Sequence, residues 1–115
     1  MRLAIVGSRT AGPDLAELLR AEVDRLGAPP TLIVSGGARG ADTLARELAR
    51  ERGIPLVEHL PDYHRHGRGA PLLRNKLIVD DADVVLALWD GASRGTMHTV
   101  RYAQEQGKRV FVVRF

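Results

Sequence analysis

No cysteine occurs among the 115 residues, which excludes a disulfide framework, a thiolate metal site and a cysteine nucleophile. Aromatic residues make up only 4% of the chain, too few for the succession of stacking rings on which an extended single-strand groove relies. Lysine is confined to Lys76 and Lys108, so the positive charge is carried almost entirely by arginine. No apolar run approaches the roughly 20 residues that a membrane-spanning helix needs. Met1 leads directly into a strand-like run, leaving no room for a secretion leader, and a cytoplasmic protein with no membrane partner is the expectation. What is present is an ordinary globular composition, 44% hydrophobic and 27% charged, with a formal net charge of +3. That length and composition suit a single domain over residues 1–115, and the basic balance favours acidic partners in a general way.

Short apolar runs of strand length fall at residues 2–6, 31–34, 56–58, 84–88 and 109–115. Between them lie segments with helical spacing. The first opens at Pro13, where Asp14 and Glu17 complement the helix dipole, and carries Leu15, Leu18, Leu19, Val23 and Leu26. The second carries Ala41, Leu44, Ala45, Leu48 and Ala49. The third, residues 71–81, is expected to turn Leu73, Leu77 and Ile78 to one side. The last is marked by Met97, Val100 and Ala103. Residues 59–70 have no clear period. Strands alternating with helices, each with a nearly unbroken apolar core, predict an α/β three-layer sandwich. Its sheet is parallel and five-stranded, in the order 3-2-1-4-5, with helices on both faces. Right-handed crossovers then bring the loops after strands one, two and four to the carboxyl edge of the sheet. Strands one and four become neighbours there, at the point where the strand order reverses.

Those three loops are the ones that composition singles out. Residues 35–42 read Ser-Gly-Gly-Ala-Arg-Gly-Ala-Asp between a strand and a helix, a pattern that suits an anion: glycines permit the tight turn and the helix start offers free N–H groups. Gly36, Gly37 and Gly40 supply the turn, Arg39 adds charge, Ser35 is a hydroxyl donor, and Asp42 is a candidate for a ribose hydroxyl. Gly7, Ser8 and Arg9 follow the first strand. Ser93, Arg94, Gly95 and Thr96 follow the fourth, with Trp89 at its end as a candidate stacking surface. Arg74 and Asn75 on the third helix are candidates for a phosphate or ribose clamp, because a guanidinium makes bidentate contacts. A dinucleotide fingerprint is incomplete, since Ser35 stands where its first glycine belongs and the loop follows the second strand. Phosphate-loop spacing between Gly7 and Gly12 is followed by Pro13-Asp14 in place of Lys and Ser/Thr. His64-x-His66, with His59 and Asp62 nearby, falls short of the three or four spaced ligands of a zinc site, so no metal is expected.

Gly7-Ser8-Arg9, the 35–42 loop, the stretch from Gly67 to Arg74-Asn75, and Trp89-Asp-Gly-Ala-Ser-Arg-Gly-Thr96 together resemble the SLOG superfamily, in particular its small YspA-like, cpYpsA-related branch. The resemblance covers nearly the whole chain. It implies a Rossmann-like fold and a nucleotide or nucleotide-derived ligand of the mononucleotide, NAD or ADP-ribose type, with no other cofactor required and with a sensor role. Two further activities occur among relatives of that superfamily. One is N-glycosidic hydrolysis of nucleoside monophosphates by phosphoribohydrolases, for which Arg74 would be the catalytic candidate, while Thr99 occupies the position of that group's glutamate. The other is binding of single-stranded nucleic acid. Pairing of two copies through helices is a further implication.

Overall fold

The computed structural model describes residues 1–115, and five of its segments are parallel strands: β1 (Arg2–Gly7), β2 (Leu32–Ser35), β3 (Leu56–Glu58), β4 (Val84–Trp89) and β5 (Arg109–Arg114). They form one sheet in the order β3-β2-β1-β4-β5. β1 is central, with Ala4 opposite Val34 on one side and Val85 on the other. Helices α1 (Ala16–Asp24), α2 (Ala41–Arg52), α4 (Ala70–Asp80) and α5 (Arg94–Glu105) cover the sheet, and a single-turn α3 (Tyr63–His66) precedes α4.

Strand side chains alternate between the two faces. Leu3, Ile5, Ile33, Leu86 and Leu88 pack against Leu19 and Val23 of α1 and Leu44 and Leu48 of α2. Ala4, Val6, Val34, Val85 and Ala87 meet Ile78 and Val79 of α4 and Val100 and Ala103 of α5. Small residues line the second face, so α4 and α5 can approach the sheet closely just where β1 and β4 end. No helix is long and apolar enough to cross a membrane.

Four departures from the sequence reading have local causes. Pro13 opens a 3-10 turn, Pro13–Leu15, and the α-helix proper begins at Ala16. The 59–70 segment is more regular than its composition suggests: Asp62 caps α3 by accepting from the Arg65 N–H at 3.1 Å, and a 3-10 turn, Gly67–Gly69, leads into α4. On α4 the inward positions are Ala70, Arg74, Ile78 and Val79, while Leu73 and Leu77 are exposed. Val79 lies about 200° around the helix from Leu77, so burying Leu77 would turn Val79 out of the core. Finally, β5 is a half-covered edge strand in which only Val110 and Val113 are partly buried. An apolar run alone does not distinguish a central strand from such an edge.

Leu86 and Phe111 are register partners on adjacent strands, fully buried and 37% exposed respectively. Leu86→Ala is expected to cost about 3 kcal/mol, and Phe111→Ala less than half of that, in urea unfolding. Equal losses would contradict the edge position of β5.

Candidate functional site

The carboxyl ends of β1 and β4 border a cavity of ≈ 390 Å³. Gly7 comes to it from the end of β1 and Arg9 and Thr10 from the loop that follows, Ala38, Arg39 and Asp42 from the loop and helix start after β2, and Asp90, Ser93, Gly95 and Thr96 from the segment after β4. Arg74 and Asn75 reach it from α4, with Val6, Ile78, Pro71 and Leu72 as apolar lining. The three loops therefore converge, as the strand order requires.

The loops are tied to one another by the protein's own polar groups. The Ser8 N–H donates to the Leu88 carbonyl at 2.9 Å, and the Ser8 hydroxyl accepts from the Asp90 N–H at 3.1 Å. The Ser8 carbonyl in turn accepts from the N–H groups of Ala11 and Ala41, both at 3.2 Å. That approach demands glycine at position 40: its φ is +76°, and a Cβ there would lie 2.5 Å from the Ser8 carbonyl oxygen. Asp42, nearly buried, accepts from the Ala38 N–H at 3.0 Å and so closes the glycine loop on itself. Two N–H groups of the expected anion cradle, those of Ala38 and Ala41, are thus engaged within the fold. The positive charge facing the cavity comes instead from Arg9, Arg39 and Arg74.

Asp90 fastens the other wall. Its carboxylate accepts from the N–H groups of Ala92 and Ser93, both at 2.9 Å, and from the Thr10 hydroxyl at 2.8 Å. These donors stabilise the ionised form and lower its pKa to about 2, the backbone bonds from Ala92 and Ser93 contributing most. Ser93 then caps α5, its hydroxyl accepting from the Thr96 N–H at 3.3 Å.

Arg74 is the most consequential side chain. It is 7% exposed, and its hydrogen-bond acceptors are all neutral: the Gly36 carbonyl at 2.5 Å, the His59 carbonyl at 3.4 Å and the Asn75 side-chain oxygen at 2.8 Å. It forms none of the salt bridges within 4.0 Å. Burial lowers its pKa and the Arg9 charge acts in the same direction, while Asp42 and Tyr63 oppose them. A guanidinium stays protonated under such pressure. The site therefore holds a desolvated cation whose charge no carboxylate contact neutralises.

The remaining expected residues divide into supports and outliers. Ser35, Gly36, Gly37 and Gly40 lie behind the cavity lining as the frame of the loop, with Ser35 fully buried and its hydroxyl without a partner. Gly36 leaves room for the Arg74 guanidinium, since a Cβ there would sit 2.6 Å from Nη1. Trp89 and Arg94 do not join the crevice. They line a separate hollow with Met97, His98 and Arg101, and the Trp89 indole N–H donates to the Ser93 carbonyl at 3.1 Å. Asp90 and Thr10 were not singled out as individual site residues, although an Asp followed by Gly-Ala-Ser signals a side chain that bonds its own backbone two and three residues on. Thr99 also lines the cavity, its hydroxyl donating to the Gly95 carbonyl at 3.0 Å. His64 and His66 stand exposed on α3.

A doubly wound parallel sheet with its cavity at the strand-order reversal defines a Rossmann-like protein. The family model described as the YspA, cpYpsA-related SLOG family matches residues 1–66, and the "Gene 61 protein" of Mycobacterium phage D29 is 39% identical over 114 residues, covering 92% of this chain and 90% of that relative. The chain belongs to the YspA, cpYpsA-related SLOG family. Among solved structures it is similar to DNA processing protein A from Streptococcus pneumoniae (TM-score 0.79, 22% identity, 96% of this chain and 49% of that one). It is also similar to the single-stranded-DNA-binding DNA processing protein A from Helicobacter pylori (TM-score 0.72, 28% identity, 97% and 64%), and to the structural-genomics target TM1055 (TM-score 0.69, 24% identity, 95% and 71%). The chain thus spans about half of the Streptococcus protein's structure and under two thirds of the Helicobacter one.

The low pKa of Asp90 fixes the sign of one pH effect. Its stabilising contribution is complete above the ordinary value of 3.8 and is lost as pH falls toward about 2. Asp90→Asn is expected to lower stability at neutral pH and to flatten the unfolding midpoint across that acid window. Chemical denaturation at a series of pH values checks it, and an unchanged acid limb would refute the assignment.

Proposed function

We propose that the protein binds a nucleotide or nucleotide-derived ligand, of the mononucleotide, NAD or ADP-ribose type, at the carboxyl edge of the sheet, with a sensing role and no other cofactor. The observation that carries this reading is Arg74, a buried cation on the cavity wall with neutral acceptors only. Burying a charge without a close partner is costly; Asp42 acts on it only from beyond salt-bridge distance, and an anion bound beside it would supply a direct counter-charge. Arg9 and Arg39 line the same cavity, whose ≈ 390 Å³ falls within the range of small-ligand sites. The cavity carboxylates, Asp42 and Asp90, already accept from the protein's own N–H groups, and Thr99 stands at the glutamate position of the phosphoribohydrolases. Both features favour binding over bond cleavage.

Calorimetry or thermal shift against AMP, ADP-ribose and NAD tests the reading. A ligand at 100 times its dissociation constant should add about 2.7 kcal/mol of stability. Arg74→Met should cost about 2 kcal/mol or more of binding, roughly thirtyfold in affinity. Absence of stabilisation by every nucleotide at millimolar concentration would refute the proposal.

A second reading, single-stranded nucleic acid, is favoured by one observation: the Helicobacter relative, 28% identical over nearly this whole chain, binds single-stranded DNA. Three cavity arginines on phosphates predict that log K falls with log salt with a slope of about −2. Fluorescence anisotropy of a labelled oligonucleotide measures it, and salt-independent binding would count against this reading.

A further inference from the structure

The hollow that contains Trp89 has a volume of ≈ 480 Å³ and shares one residue with the central cavity, Ser93. The two depressions therefore adjoin across the start of α5. Arg94, His98 and Arg101 project into the second one at helical spacing i, i+4 and i+7. All three are exposed, and none appears in a salt bridge within 4.0 Å. The Trp89 ring lines the same hollow, with its N–H engaged by the Ser93 carbonyl and the Arg114 guanidinium 5.7 Å from its centroid.

Charge is divided between the two helical layers in the same sense. The segments Pro13–Leu15, α1 and α2 carry seven acidic side chains against four arginines, several of them ion-paired. The layer of α3, Gly67–Gly69, α4 and α5 carries six Arg and Lys side chains, and its only acids are Asp80 and Glu105, each at the carboxyl end of its helix. An anionic ligand leaving the cavity over Ser93 stays on this basic layer.

We infer that the hollow around Trp89 is a second subsite, which receives the next base and phosphate of a ligand whose first phosphate lies by Arg74. This rests on the nucleotide reading of the central cavity. The indole offers a π-face for a base and Arg94 and Arg101 offer cations for the adjoining phosphate, a combination that accepts any base. A second nucleotide unit can come from a dinucleotide such as NAD or from a stretch of single strand, and the chemistry at this subsite is the same for both.

Trp89 is the sole tryptophan, so its fluorescence reports this hollow directly. The test titrates the full chain with AMP, with NAD and with thymidine oligonucleotides of increasing length, recording tryptophan emission and thermal stability on the same samples. Quenching by NAD or by oligonucleotides, beyond any produced by AMP, is expected. NAD alone would identify a dinucleotide, and oligonucleotides alone a strand. Arg101→Ala should leave the AMP response unchanged and lower the salt slope of oligonucleotide binding by about 0.7, or weaken NAD by about tenfold if NAD is the quencher. Stabilisation by AMP with no extra quenching by the longer ligands, or an Arg101→Ala variant that binds them as the wild type does, overturns the subsite and leaves the central cavity standing. Quenching by the longer ligands without any stabilisation by AMP would instead overturn both the cavity reading and the subsite as its extension.

Discussion

Everything at the carboxyl edge hangs on the pairing of β1 with β4. Gly7 lies beside Leu88 in that register, and a side chain at position 7 would collide with the Leu88 carbonyl. Because the strands run so close, the Ser8 N–H reaches Leu88 and its hydroxyl meets the Asp90 N–H. The Ser8 carbonyl then reaches the start of α2. One residue, buried and serving four partners through three atoms, holds together loops that follow three different strands. Asp90 repeats the pattern on the opposite wall by binding Thr10.

This bracing explains the division of labour in the cavity. The N–H groups of Ala38 and Ala41 and the carboxylates of Asp42 and Asp90 are engaged in fixing the loops. The arginines are not. Arg9 and Arg39 stand exposed at the entrance, and Arg74 is held by carbonyls in a position that Gly36 leaves open. Loops braced in this way can hold a costly electrostatic feature, here a buried guanidinium, without losing their shape.

The strand order, the layers and the convergence of three loops were legible in the sequence because each rests on a local signal: β-branched and aliphatic runs, helical spacing, glycine turns and the handedness of crossovers. Arg74 was legible as a residue but not as a buried one, since its position follows from the rotation of α4 that Ile78 and Val79 impose. The leucines at 73 and 77 pointed to the opposite rotation, and only packing against the small residues of β1 and β4 decides between them. Trp89 illustrates a different limit. The end of a strand points to the crevice, but its last side chain can fall on either side of the loop that follows, and Ser93 draws the indole outward. Asp90 was hidden because an acid in a glycine turn looks like solvent-exposed decoration until its three donors are counted.

The same β1–β4 seam has a consequence for the nascent chain. The Asp90 that Ser8 must bind is translated 82 residues after it. Until then β1, destined for the middle of the sheet, can pair with β2 on one flank only, and its other flank is a bare hydrogen-bonding edge. A ribosome that pauses before β4 therefore leaves an unpaired edge on the central strand, and that edge closes only when β4 docks.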